Sequence, residues 1–382
     1  AGMKLFDRNF GYKQVKKITK MSLSDKYRKN NFIDQKFQAA IFPLNLFQNI
    51  FFQSKYTIRN NFVHPKSYIY NTLSFIFTVL LIYLHYFHIR IESVFSKNVP
   101  KNTLNYSSLT NFILNSFESI ILFVNNVYYN RTTVKFIINI QKNIKFSSKN
   151  SHNFDRYLKK WQKENWYNVY FQFVLYTFIS VVYSRMCYVH WKYFSFSYSF
   201  YIFILILYDV SIICAFRYMK LIRICFELWV YKISQNSGPR YRCVRKTRRS
   251  QDGNYKKIFD SYIDFIESFE LFKIIFQVPT IINLAEIYVF GWLFKNIILL
   301  SICIKECEDF YTNVIEAERQ CMIRSENDES MKKLYKNIRR LNRTKFSKMT
   351  ACRIFTVDAA LPLRYFDNFA VYTIVILQFA FS

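Results

Sequence analysis

The sequence predicts an all-α membrane protein with seven transmembrane helices, and three observations support this fold class. Hydrophobic residues make up 52% of the 382 residues, with 42 Phe and 30 Tyr against only 5 Gly, whereas globular domains use far more glycine. Apolar stretches of about 20 residues, the length that crosses a bilayer as a helix, recur along the chain. The segments between these stretches hold most of the lysine and arginine, and the net charge is +29.

Six stretches are long and apolar enough to cross a membrane, and a seventh lies at the end of the chain. They cover residues 68–90, 110–129, 166–187, 197–216, 271–290, 291–307 and 362–380. The second and the seventh contain the most polar residues. The fifth and sixth nearly touch at Gly291, which predicts a tight outer turn. No stretch keeps the alternation of period two that is typical of a strand.

Lysine and arginine are distributed unevenly between alternate connecting segments. Residues 1–67, 130–165, 217–270 and 308–361 hold 45 of the 54 lysine and arginine residues, and the other connecting segments hold 3. Cytoplasmic loops are enriched in lysine and arginine in this way. We therefore expect a cytoplasmic N-terminus and an extracellular C-terminus. The chain then divides into a cytoplasmic N-terminal segment (3–67), a six-span bundle with cytoplasmic extensions (68–307), cytoplasmic anchor helices (308–361) and the seventh span (362–382).

Three inner segments carry apolar residues at helical spacing. These residues are Met219, Ile222, Phe226 and Trp229, then Ile258, Tyr262, Phe265 and Phe269, and finally Leu334, Ile338 and Leu341. Amphipathic faces need a partner, so we expect the three helices to pack together beneath the membrane. The alternative is that they lie flat among the lipid headgroups.

The basic run Pro239–Ser250, PRYRCVRKTRRS, could be taken for a nucleic-acid patch. In a chain with several spans, basic runs next to them set the topology and contact anionic headgroups. No inner segment shows a recognition-helix or RNA-binding pattern, so we do not expect nucleic acid as a partner.

The cysteines also fit this topology. Seven fall on the inner side, and Cys187 alone lies near the outer face, so we predict no structural disulfide. Cys303 and Cys307 have a spacing that could hold a metal, but no histidine or second cysteine pair is near them in the sequence. We expect packing thiols, and neither a metal nor a cofactor.

The closing segment 349–382 carries a more specific pattern. Tyr372 is followed by five residues, four of them aliphatic, and then by Gln378 and Phe379, while Phe355, Val357 and Asp358 stand upstream. This pattern resembles the C-terminal signature of insect gustatory receptors. Val371 and Arg353 depart from it, since threonine and glycine are usual at these positions.

The resemblance implies a ligand-gated, non-selective cation channel of the plasma membrane of chemosensory neurons, related in architecture to insect odorant receptors. Such channels are homotetramers, and co-assembly with other family members is left open. No G protein is required. The seventh span is expected to be split, with an inner half in a cytoplasmic anchor and an outer half around a central pore. Pro362 suits the start of the new helix, because proline is tolerated in a first turn.

The pore residues follow from the helical wheel and from the resemblance together. On a helix Val371, Val375, Gln378 and Ser382 fall within about 60° of one another, and the resemblance adds Tyr372 and Phe379 to the gate. Four copies of Gln378 around an axis would form a ring of amides beside hydrophobic valine rings that close a narrow pore. The alternative is that Gln378 bonds a neighbouring span.

The resemblance places the ligand pocket, for a small tastant, in the outer half of the second to sixth spans. Aromatic residues of the third and fourth spans, such as Tyr170 and Phe178, suit its walls. The candidate binding residues are Glu118, Tyr176, Tyr183, Tyr201, Glu286, Tyr288 and Trp292. Glu118, Asp209 and Glu286 are charges inside spans and should face protein or water. An internal ion pair is the alternative role for each of them.

Three other classes of membrane protein place different requirements on the sequence. A G-protein-coupled receptor would have its N-terminus outside, which the charge distribution opposes. An enzyme would need a catalytic constellation, and five scattered histidines supply none. A transporter of a small organic solute remains the alternative function, although no internal repeat typical of transporters is visible.

Overall fold

The computed structural model describes residues 31–95, 101–148, 154–191, 196–235, 248–285, 290–325, 329–351 and 355–364, and then 367, 370, 371, 374, 375 and 378. This part of the chain is mostly α-helical, which confirms the all-α prediction at that level.

The helices and strands follow one another in a simple order. They are α1 (Gln35–Ile50), β1 (Tyr56–Arg59), β2 (Phe62–Pro65), α2 (Tyr68–Phe95), α3 (Lys101–Tyr128), α4 (Asn130–Ser148), α5 (Phe154–Trp191), α6 (Phe196–Gln235), α7 (Arg248–Ala285), α8 (Phe290–Ser325), α9 (Glu329–Lys345), β3 (Thr350–Ala351) and β4 (Phe355–Thr356). The described residues from 361 onward are again helical, and we call them the C-terminal helix.

Four helices are much longer than a membrane is thick. The helices α5 to α8 have 36 to 40 residues, or about 54–60 Å at 1.5 Å per residue, against about 30 Å for the hydrocarbon core of a bilayer. By length and composition, one helix among the described residues could cross a membrane, Tyr68–Phe87, and Phe112–Tyr128 is a shorter apolar helix.

The helices α6, α7 and α8 pack together through an aromatic core. The ring centroid of Phe226 lies 5.1 Å from that of Phe265 and 5.2 Å from that of Phe310, and Phe269 stacks on Phe310 at 4.7 Å. The Tyr262 hydroxyl donates to Asn342 Oδ1 at 2.6 Å and so joins α7 to α9. All the residues predicted for the three amphipathic faces are buried, except Leu341, which is partly buried. The prediction that these helices pack together is therefore confirmed.

Two short antiparallel hairpins lie outside the all-α prediction. In the first, Ile58 pairs with Val63 and Arg59 with Phe62, and the turn consists of Asn60 and Asn61. Both turn residues have positive φ, 52° and 65°, which is the conformation that a two-residue hairpin loop requires and that asparagine tolerates. The second hairpin pairs β3 with β4.

Helix α1 packs along α5 and is attached to it by Asn165. Asp34 caps the start of α1 by accepting a hydrogen bond from the Lys36 amide. Inside the helix, Pro43 has no N–H to offer the preceding turn. The Asn165 amide nitrogen donates to the Ala40 carbonyl at 3.1 Å in this same turn. Helix α1 is thus part of the packed bundle.

Candidate functional site

A buried ion cluster joins α5, α6 and α8. Its members are Tyr176, Asp209 and Lys295. The Lys295 ammonium donates to both oxygens of Asp209, at 2.7 and 2.8 Å, and to the Tyr176 hydroxyl oxygen at 3.3 Å. The Tyr176 hydroxyl itself donates to Asp209 Oδ2. Asp209 is fully buried, and only 16% of the Lys295 side chain is exposed. The buried Asp209 carboxylate is therefore stabilised both by the charge of Lys295 and by hydrogen bonds.

One of the predicted binding residues, Tyr176, belongs to this cluster. The prediction that Glu118 and Asp209 face protein is confirmed, since both are buried; Asp209 takes the internal ion pair, and Glu118 lies on α3. Tyr183, Tyr201 and Trp292 lie on α5, α6 and α8, but their side chains are outside the described residues, as are Glu286 and Tyr288 altogether.

Two of the aromatic residues that suit the walls of the predicted pocket are exposed in the single chain. Tyr170 is 70% exposed and Phe178 65% exposed on α5, so they point away from the bundle. Helical spacing explains this exposure. Tyr176 faces the interior, and Tyr170 and Phe178 lie on other sides of the same helix. Sequence reasoning also missed Lys295, although a lysine within an apolar stretch was itself a signal of a buried counter-charge.

A second charged group, which we call the Arg217 cluster, joins α5 and α6. It lies towards the predicted inner ends of these two helices. Arg217 donates to Asn165 Oδ1 at 2.5 Å, to Glu164 Oε2 at 2.9 Å and to the Trp161 carbonyl at 3.1 Å, and Lys220 also donates to Glu164 at 3.0 Å. Burial raises the pKa of Glu164, but the hydrogen bonds and charges of Arg217 and Lys220 outweigh it and leave the pKa lowered. All three guanidinium nitrogens are bonded, which suits a structural role.

Lys55 is a buried cation of a different kind. It immediately precedes β1 and is only 5% exposed. Its ammonium lies 5.6 Å from the centroid of the Phe276 ring, and no ion pair is formed with it by the described residues. Burial lowers the pKa of Lys55 to about 7. Close by, the hydroxyls of Tyr56 and Tyr218 are 2.9 Å apart.

The β3–β4 hairpin, which leads into the C-terminal helix, is attached to α8 by two residues one turn apart, Glu308 and Tyr311, which we call the hairpin clasp. The Tyr311 hydroxyl accepts from the Met349 amide at 3.0 Å and donates to the Val357 carbonyl at 3.3 Å. Glu308 Oε1 accepts from the Ala359 amide at 3.2 Å. The clasp therefore holds both ends of the β3–β4 hairpin against α8.

The C-terminal helix begins as the sequence predicted. Asp358 precedes it, and its side chain accepts from the Ala360 amide at 3.2 Å. The helix starts at residue 361, so Pro362 lies in its first turn, which confirms the predicted new helix.

The predicted gate residues are described in part. Val371 and Val375 are 53% and 40% exposed, and Gln378 is exposed. Within the single chain, these three side chains lie on a face that the described residues leave open. Tyr372, Phe379 and Ser382 are outside the described residues.

No protein-family model matches this sequence, and no curated protein sequence matches it.

Proposed function

We propose that the chain is a seven-span membrane protein, with its N-terminus cytoplasmic, that works as a ligand-gated, non-selective cation channel. The membrane part of this proposal rests on the apolar side chains that α2, α3 and α5 expose. They include Ile69, Leu73, Ile76 and Leu80, then Ile113, Phe117, Ile120 and Val124, and then Phe171, Val174, Phe178 and Val181. A soluble monomer rarely exposes such large apolar surfaces. Hydrocarbon solvates them, and the helices satisfy their own backbone polar groups.

The channel part rests on the C-terminal helix, and this is the observation that carries the function. An exposed face with Val371, Val375 and Gln378 stands on a helix whose base is held by the hairpin clasp. An amide that faces hydrocarbon is unfavourable. The same amide suits a pore axis shared by four copies, with the valines as the hydrophobic constriction. The resemblance of the closing segment to gustatory receptors implies the same arrangement.

The ion cluster supports the ligand part of the proposal. Tyr176, Asp209 and Lys295 belong to the predicted third, fourth and sixth spans, which the resemblance places around the pocket. A small ligand with hydroxyl or charged groups can exchange hydrogen bonds with these side chains. Such an exchange would change how α8 packs, and α8 carries Glu308 and Tyr311. Movement of α8 would then reach the C-terminal helix.

The test is to express the chain alone and record currents while sugars, bitter compounds and amino acids are applied. We expect a ligand-evoked cation current that needs no G protein. Gln378→Ala should alter ion permeation or rectification. Gln378→Glu should favour cations further, because a ring of carboxylates attracts them.

Two outcomes would contradict the proposal. Unchanged currents in both Gln378 variants, at normal surface expression, would remove this residue from the pore. Uptake of a solute without any ligand-evoked current would favour the transporter instead.

A further inference from the structure

A basic groove runs along the side of α9 that faces away from the core. Its cations are Lys332, Lys336, Arg339, Arg340 and Arg343, the Tyr335 ring forms part of its wall, and its volume is about 420 Å³. None of the lining residues that the structure describes is acidic. The opposite side of α9 is buried in the core through Met331, Leu334 and Ile338. Packing therefore fixes the direction in which the cations point.

Among the described residues, one carboxylate compensates part of the charge of the groove. Glu318 lies 3.8 Å from Arg339, and the same carboxylate accepts a hydrogen bond from Asn342 at 3.3 Å. For Lys336, Arg340 and Arg343, the described part of the chain supplies no ion pair and no side-chain hydrogen bond. Three cations thus face one concavity with free donors.

The spacing of these cations suits clustered phosphates. Positions four residues apart on a helix lie about 5–6 Å from each other, and the stripe from Lys332 to Arg343 extends about 16 Å at 1.5 Å per residue. Arginine binds phosphate oxygens through two parallel hydrogen bonds. The groove volume is that of an ordinary small-molecule site. We propose that the basic groove binds a soluble small molecule that carries two or more phosphate groups.

The groove lies too far from the predicted membrane surface for its ligand to be a lipid headgroup. Ser325, at one end of the groove, lies 18 residues beyond the predicted inner end of the sixth span on the unbroken α8, or about 27 Å. Near the other end, Asn342 accepts a hydrogen bond from Tyr262 of α7. Tyr262 lies nine residues before the start of the predicted fifth span on this helix, which corresponds to about 14 Å. The headgroup layer is only about 5–8 Å thick on each side. This step rests on the proposed topology.

Calorimetric titration of the full-length protein, purified in detergent, with inorganic tripolyphosphate tests the site. We expect saturable binding to the wild type. The exposed pair Lys336→Glu/Arg340→Glu should bind at least about tenfold more weakly, because two charge-assisted contacts become repulsive. The matched control is Lys333→Glu/Lys345→Glu, which makes the same charge change on exposed residues of α9 that do not line the groove. We expect this control to change the affinity by no more than about twofold.

Three results would overturn the proposal. They are no tripolyphosphate binding, equal loss in both double variants, or binding only to phosphatidylcholine vesicles that contain a phosphatidylinositol bisphosphate. Arg340→Gln, which removes one charge and keeps a polar side chain, serves if a double variant unfolds. The titration needs no channel activity. A failed current recording with intact tripolyphosphate binding would therefore count against the proposed function and leave the groove in place.

Discussion

Lys295 and Lys55 are both lysines largely removed from solvent, and their surroundings are opposite. Lys295 bonds both oxygens of Asp209 and contacts Tyr176. Lys55 has the face of Phe276 and, among the described residues, no carboxylate within ion-pair distance. A cation–π contact stabilises a lysine by at most a few kcal/mol, which is less than the penalty of desolvating the charge.

The two lysines differ in what replaces the water around the buried ammonium. In the ion cluster, the carboxylate and the hydroxyl replace the water that the ammonium has lost. At Lys55 nothing of equal strength replaces it, so burial lowers the pKa to about 7. The burial of Lys295 depends on Asp209 and Tyr176. The burial of Lys55 destabilises the fold as long as its ammonium is charged.

The largest expected effect is that of Lys55→Met, which keeps the side-chain length and removes the charge. A pKa lowered from 10.5 to about 7 corresponds to roughly 4 kcal/mol of stability lost at pH 7. The unfolded chain takes up the proton below pH 10.5, and the folded chain only below about pH 7. The stabilising effect of Lys55→Met should therefore be full below pH 7 and vanish above pH 10.5. Thermal unfolding in detergent at both pH values measures it.

Lys159→Met is the matched control, because Lys159 is exposed on α5. It should change the midpoint of unfolding very little at either pH. If Lys55→Met stabilised the protein equally at pH 7 and at pH 10.5, the gain would come from packing, and the comparison between the two lysines would fail.

The next largest effect is that of Asp209→Asn. It leaves the Lys295 ammonium without its carboxylate and so makes its surroundings more like those of Lys55. We expect a loss of about 3 kcal/mol in the free energy of unfolding. The double variant Asp209→Asn/Lys295→Met should recover most of this loss, because no charge is then left unpaired.

An exposed ion pair gives the control for this cycle. Lys36 and Asp155 are 2.6 Å apart with 65% and 53% of their side chains exposed. Asp155→Asn should lower the free energy of unfolding by less than about 1 kcal/mol. Equal losses for Asp155→Asn and Asp209→Asn would mean that burial adds nothing to the ion cluster.

The smallest effect is expected for Tyr176→Phe, which removes one hydroxyl and leaves the Asp209–Lys295 pair. A single buried hydrogen bond contributes about 1 kcal/mol. Tyr170→Phe on the same helix, at a position that is 70% exposed, should have almost no effect. Denaturant unfolding of the three proteins side by side would reveal the difference, and a Tyr176→Phe variant as stable as wild type would limit the cluster to its two charges.

Local patterns predicted the helices well, because each apolar face repeats within a few residues. The faces through Phe226 and Phe265 were found from spacing alone. The hairpin around Asn60 and Asn61 was missed, although two asparagines between short β-prone runs are a hairpin signal.

Contacts between distant parts of the chain were harder to predict. Asp209 was predicted to face protein or water, but its partner Lys295 is 86 positions away, and no local pattern connects them. The same difficulty affected the aromatic residues. In a chain where one residue in five is aromatic, sequence alone does not separate the buried Tyr176 from the exposed Tyr170.

Asn165 has a chemical requirement that few side chains can meet. Its oxygen faces a group that can only donate, the Arg217 guanidinium, and its nitrogen faces a group that can only accept, the Ala40 carbonyl. Aspartate would turn a lone pair towards that carbonyl, and leucine would abandon both neighbours. Only the two carboxamides hold an N–H donor and a carbonyl acceptor side by side in one planar group, and glutamine is one methylene longer than the asparagine that is fully buried here. Natural variants of this chain should therefore keep asparagine here even where the surrounding helices diverge.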